Sequence, residues 1–122
     1  MAITMIDSVT CLMSGTSTDT WEGGRVVYWN AGNTVEYAEN SGSLPAGILF
    51  TRYLGGEVGA IVGQGGTVLC ETDGTVTAGW VGAADDGSGK LVNVSNLNAV
   101  GRCYSTDNGN YVRVLVDINK LS

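Results

Sequence analysis

An all-β domain, a small barrel or sandwich of short strands and hairpins with an extended N-terminal arm, is the fold class this sequence predicts. Three observations carry it. The 122 residues hold 19 glycines against one proline, and only 15% of positions are charged while 43% are hydrophobic. Glycine at that density works against long helices, each interior Gly costing about 1 kcal/mol relative to Ala, and it suits tight turns that need positive φ. Turn signals recur about every 8–12 residues, the spacing of sandwiches and barrels. Finally, Gly47–Val62, GILFTRYLGGEVGAIV, aligns without a gap on Gly101–Val116, GRCYSTDNGNYVRVLV. Gly47 meets Gly101, Phe50 meets Tyr104, Gly55 meets Gly109, Val58 meets Val112 and Val62 meets Val116. Each copy reads as a strand, a Gly-containing turn and a second strand, so the pair predicts two hairpins with approximate two-fold symmetry.

Taken in order, the chain divides into residues 1–24, an arm and linker, and residues 25–122, the β-barrel domain. Ile3, Met5, Val9, Cys11 and Met13 share one parity, with Thr4, Ser8 and Thr10 on the other. That alternation is a half-buried strand, or an arm that becomes one when it meets a partner. Ser14–Thr20 is polar with almost nothing to bury and reads as a flexible tether ending at Trp21 and Gly23-Gly24. Val26–Trp29, an Asn30–Asn33 turn and Thr34–Ala38 form a first hairpin. Pro45 fits a strand's first position rather than its middle. After the first repeat copy, Gly63–Gly66 turns into a strand over Thr67–Glu71, and Asp73-Gly74 leads to another at Ala78–Val81. Asp85–Gly89 is a turn before Lys90–Val92, and Asn96–Asn98 predicts a short helical turn. The closing strand sets Val112, Val114 and Val116 on one face, with Tyr111, Arg113 and Asp117 on the other.

The charge balance and residue inventory exclude several functions. Net charge is −6, with six Lys and Arg in all and no basic cluster, so a phosphate backbone is repelled and no nucleic-acid partner is expected. No apolar run reaches the roughly 18 residues of a membrane span. The N-terminus lacks a basic n-region and carries Asp7, so it does not read as a signal peptide. Cys11, Cys70 and Cys103 are odd in number and far apart, which fits buried thiols in a cytosol-made protein, with one disulfide plus a free thiol as the alternative. The absence of histidine removes His-based triads and the usual zinc sites.

Gly63-Gln64-Gly65-Gly66 precedes a β-branched strand rather than a helix, so it is a hairpin turn and not a dinucleotide loop. Gly87-Ser88-Gly89-Lys90 lacks the first Gly, the hydroxyl and the helix of a phosphate loop. Asp85–Ser88 and Asp107–Asn110 offer oxygen ligands for calcium, but turns require the same residues. No cofactor or metal is expected. Trp29 and Trp80 are either core or a stacking platform, and Trp21, closing the tether, reads as interface.

From Ala46 to Val116 the order of features is specific. It runs Gly47-Ile48-Leu49, Gly55-Gly56-Glu57-Val58, Gly66-Thr67-Val68, Thr77-Ala78-Gly79-Trp80-Val81, Asp86–Val92, Val100–Cys103 and Asn110–Val116. This order resembles the tailed-phage head-decoration, or capsid cement, proteins. Two positions depart from that family: Trp80 stands where it usually has Asp, and Cys103 where it usually has Ala. The residues before Trp21 lie outside the shared pattern. The resemblance implies a non-enzymatic barrel on the outside of a mature capsid, often a homotrimer, bound to the major capsid protein. Ile3, Met5, Val9, Cys11, Met13 and Trp21 are then the expected capsid-facing residues, on an arm able to add a strand to an exposed edge. The alternative is a carbohydrate- or host-surface-binding β-module using Trp29 or Trp80. A small hydrolase would require two carboxylates in one cleft.

Overall fold

The computed structural model describes residues 8–30, 33–37, 44–95, 99–106 and 110–118. These residues build twelve strands in chain order: β1 (Ser8–Met13), β2 (Thr20–Trp21), β3 (Val26–Trp29), β4 (Thr34–Glu36), β5 (Pro45–Leu49) and β6 (Tyr53–Leu54), then β7 (Val58–Val62), β8 (Thr67–Glu71), β9 (Gly79–Ala83), β10 (Leu91–Asn93), β11 (Gly101–Cys103) and β12 (Tyr111–Val116). The all-β expectation holds. Strands β1, β4, β3, β5 and β7 close into a barrel, β10-β9-β11-β12-β8 form a second sheet, and β2 pairs with β6 alone. A parallel bridge between Thr72 and Leu91 ties the two edges of the second sheet toward each other, so it curls rather than lying flat. The expected helical turn at 96–98 lies outside the described residues.

The two assemblies share strands. Val27, Val35, Leu49 and Ile61 fill the barrel together with Met13 and Tyr37. Their sequence neighbours Val26, Tyr28, Ile48 and Val62 face the other way, into a core completed by Val68, Val81, Leu91, Val100, Val112, Val114 and Val116. Successive strand residues point to opposite faces, so a strand lodged between two cores must be apolar at every position. That is why Val26-Val27-Tyr28 and Pro45–Leu49 read as unbroken apolar runs, and every residue of β5 is buried. Each such Val, Leu or Ile contributes about 1.5–3 kcal/mol by leaving water. Glu71 of β8 adds a polar clip between the halves, accepting from Arg25 at 3.1 Å and lying 3.5 Å from Lys90.

Both repeat copies fold as antiparallel strand pairs, β5 with β7 in the barrel and β11 with β12 in the second sheet. Their registers differ by one residue: Ile48 faces Val62, whereas Gly101 faces Val116. Both leading glycines are required by close approach. A Cβ on Gly47 would sit 2.3 Å from the Val62 carbonyl oxygen, and one on Gly101 would sit 2.2 Å from that of Leu115.

Three expectations are corrected. The N-terminal alternation predicts a half-buried strand within a separable arm; the strand holds, but Ser8–Met13 belongs to the barrel itself. It pairs antiparallel with β7 from Ser8↔Val62 to Leu12↔Val58, and parallel with β4 at Leu12↔Thr34 and Met13↔Val35. Its partner is in its own chain. The polar stretch after it is an ordered turn rather than a loose tether. Asp19 accepts a hydrogen bond from the Thr16 amide at 2.7 Å, and the Gly55 amide donates to the Asp19 carbonyl at 2.9 Å. Likewise, Gly63–Gly66 is a turn but not a hairpin, since it carries the chain out of the barrel (β7) into the second sheet (β8).

Candidate interaction surface

Where the shared strands lie between the two cores both of their faces are buried, while the second sheet has one face turned to its core and one to solvent. On β8 and β12 the alternation is clean: Val68, Cys70, Val112, Val114 and Val116 point inward, and Thr67, Leu69, Tyr111 and Arg113 outward. Cross-strand register then assembles the outer face. Trp80, Arg102, Leu115 and Thr67 form one row across β9, β11, β12 and β8. Arg113 and Leu69 form the next, and Tyr111 stands opposite Glu71 beyond it.

Arg102 organises one side of this face. Its guanidinium lies 5.0 Å from the centre of the Trp80 ring and 5.8 Å from that of Tyr104, and it pairs with Asp117 at 3.1 Å. Asp117 is held in turn by Gln64, which donates to it at 2.9 Å while accepting from the Ile118 amide at 2.7 Å. A cation between two rings is favourable by about 0.5–1 kcal/mol at an exposed site, and here it also fixes the aromatic positions. Beside it, Thr67, Tyr104, Ser105, Arg113 and Leu115 line a shallow, mainly apolar groove.

The residues expected to face a capsid lie elsewhere. Met13 is 1% exposed inside the barrel, with Cys11 packed against the same core. Trp21 is half-buried there too, its indole N–H donating to the Ser14 carbonyl at 2.8 Å and its ring edge-to-face with Tyr37 at 4.9 Å. Val9 has its backbone paired opposite Ile61. Ile3 and Met5 lie outside the described residues. Trp29 packs on the barrel core, and Trp80 carries Arg102 on its ring.

The three cysteines are free thiols. Burial pushes Cys70 up to about 12, and it raises Cys11 and Cys103 as well, so none is poised as a thiolate near neutral pH. In the Asp85–Gly89 turn, Ser88 donates through both its amide, at 3.0 Å, and its hydroxyl, at 2.6 Å, to the Asp86 carboxylate, the bonding of an Asx turn. Those bonds hold Asp86 below its ordinary value. Among the described residues no group of three His, Cys, Asp or Glu is arranged to hold a metal ion.

The sequence reading missed Arg102, Tyr104 and the groove. The one signal available was the outward parity of Tyr111 and Arg113, which marks a face but not what stands beside it.

Barrel and curled sheet together define a class of small all-β domain in which two cores share three strands. No protein-family model matches this chain, and neither does any curated protein sequence. Among solved structures it is similar to the N base of the head fiber gp8.5 in bacteriophage phi29, at a TM-score of 0.59 and 12% identity, covering 94% of this chain and 97% of that one. At that identity the likeness is one of fold.

Proposed function

We propose that this chain is a structural protein of a tailed-phage virion, seated on the outer capsid surface and stabilising it as a decoration or cement protein. The observation that carries the reading is the near end-to-end correspondence with the head-fiber base. The motif order from Ala46 to Val116 supports it independently. In this reading the partner is the major capsid protein, the working form is a homotrimer, and the protein acts without catalysis, nucleic acid or membrane.

The architecture suits the task physically. Strands shared between two cores resist shear of one half against the other, because moving either half disturbs the packing of both. Short connections limit flexibility. Many copies on one shell compound a weak individual contact, so each interface can be small. Since β1 is a barrel strand, docking does not require a free arm, and removing residues 1–20 would take away a strand rather than a tether. The decisive experiment is quantitative mass spectrometry and cryo-electron microscopy of purified native particles. The expected result is the chain in many copies as external density on the capsid; its absence from particles would overturn the reading.

A further inference from the structure

Among the described residues six large apolar side chains stand exposed, and they fall into two groups. Leu12, Phe50 and Val58 lie on the barrel. Leu69, Tyr104 and Tyr111, exposed by 51%, 69% and 53%, lie on or beside the outer face of the second sheet. Singly scattered apolar side chains need no explanation, but a cluster with arginine does, because aromatic residues and arginine are what the centres of protein interfaces concentrate.

A groove with a cation on its wall distinguishes the second group. The chain carries −6 overall, and three of its six cations are engaged: Arg25 and Lys90 by Glu71, and Arg102 by Asp117. Arg113 is exposed on the groove and has no ion-pair partner among the described residues. A guanidinium presents a planar fork of donors that matches a carboxylate. The groove next to it is walled by the Tyr104 ring and Leu115, which accommodate an apolar side chain better than a row of sugar hydroxyls. A two-fold axis through Arg113 would set it against its own copy, which is repulsive.

We propose that the outer face of the second sheet is a docking surface for an acidic segment of a protein partner, with a carboxylate on Arg113 and an apolar side chain in the groove between Tyr104 and Leu115. The proposal stands apart from the virion reading, since it rests on this face alone.

The test is a titration of the full chain, followed by amide NMR, with an eight-residue peptide of alternating Glu and Phe. Its Gln-for-Glu analogue and an oligogalacturonate are run alongside, and sedimentation measures self-association. The Glu peptide is expected to move the resonances of Thr67, Tyr104, Arg113 and Leu115, to weaken with added salt, and to bind about tenfold more tightly than the Gln peptide. Arg113→Glu should abolish this while leaving the spectrum of the folded chain otherwise intact, and Leu12→Ser, on the barrel, should change nothing. Equal binding of the two peptides, shifts confined to another face, or no shift at millimolar peptide would overturn the proposal. So would preferential binding of the oligogalacturonate, which would make the site one for anionic glycan. Self-association lost in Arg113→Glu would assign the face to a second copy and likewise overturn it.

Discussion

At matching positions of the repeated hairpin, Gly59 and Ile61 in β7 face the barrel interior, while Arg113 and Leu115 in β12 face solvent. On the opposite parity the copies agree at Val62 and Val116, both in the shared core, and part at Val58, which is exposed where Val112 is buried. One strand thus has both sides covered and the other only one, and the side chains follow. Gly59 is small because a Cβ there would sit 2.9 Å from the Met13 sulfur and 3.1 Å from the Tyr53 ring. Arg113 instead stands exposed to solvent, where it can carry charge. The repeat supplies scaffold in both places, and the uncovered face of the second copy is where a surface for other molecules can form.

The comparison can be broken first where the copies agree. Gly47→Ala and Gly101→Ala each drive a Cβ into a backbone oxygen, and Gly47 in addition has φ +147°, so each should cost about 3 kcal/mol or more in denaturant unfolding. A tolerated substitution at either would mean the strands can separate there. Next comes the position where they differ. Ile61→Ala should destabilise by about 2–5 kcal/mol and Leu115→Ala by about 1 kcal/mol, since only the first leaves a closed cavity; equal losses would contradict the one-sided burial of β12.

A smaller effect concerns the clip between the halves. Partial burial pushes the Glu71 carboxyl up, but the hydrogen bond and charge of Arg25, with Lys90, outweigh it and hold the group below its ordinary 4.5. A depressed folded-state value contributes stability above the unfolded value and loses it as pH falls through the folded one. Glu71→Gln should therefore flatten the acid limb of the stability–pH curve below about pH 4.5, by under about 1 kcal/mol because the pair is partly solvated. An unchanged acid limb would remove the clip from the account. Smallest of all, Arg113→Ala should shift thermal unfolding by no more than about 0.5 kcal/mol, as expected for an exposed side chain with no ion-pair partner among the described residues.

Much of the architecture was legible before the structure. Alternation and Gly-bearing turns located Val26–Trp29, Val58–Val62, Thr67–Glu71 and the closing strand, and Pro45 does open β5. What local pattern could not supply was partnership. The parity of Cys11 and Met13 announced a strand with one buried side, yet its partners begin at Thr34 and Val58, and nothing near Met13 names them. The turn at Ser14–Thr20 looked loose because its order comes from one carboxylate, Asp19, and from backbone bonds to a distant loop. The outer face was hidden for the same reason. Trp80, Arg102 and Leu115 become neighbours only once the registers of three strands are known.

The long reach of β1 also sets an order of events during synthesis. Ser8–Met13 is made before either partner: its longer one, Val58–Val62, follows about fifty residues later, and the contact with β4 spans only two positions. Closing so large a loop costs entropy before any pairing repays it. β1 is thus made well before it can be seated, and until Val58–Val62 emerges Cys11, Leu12 and Met13 must wait beside a growing chain without their main partner.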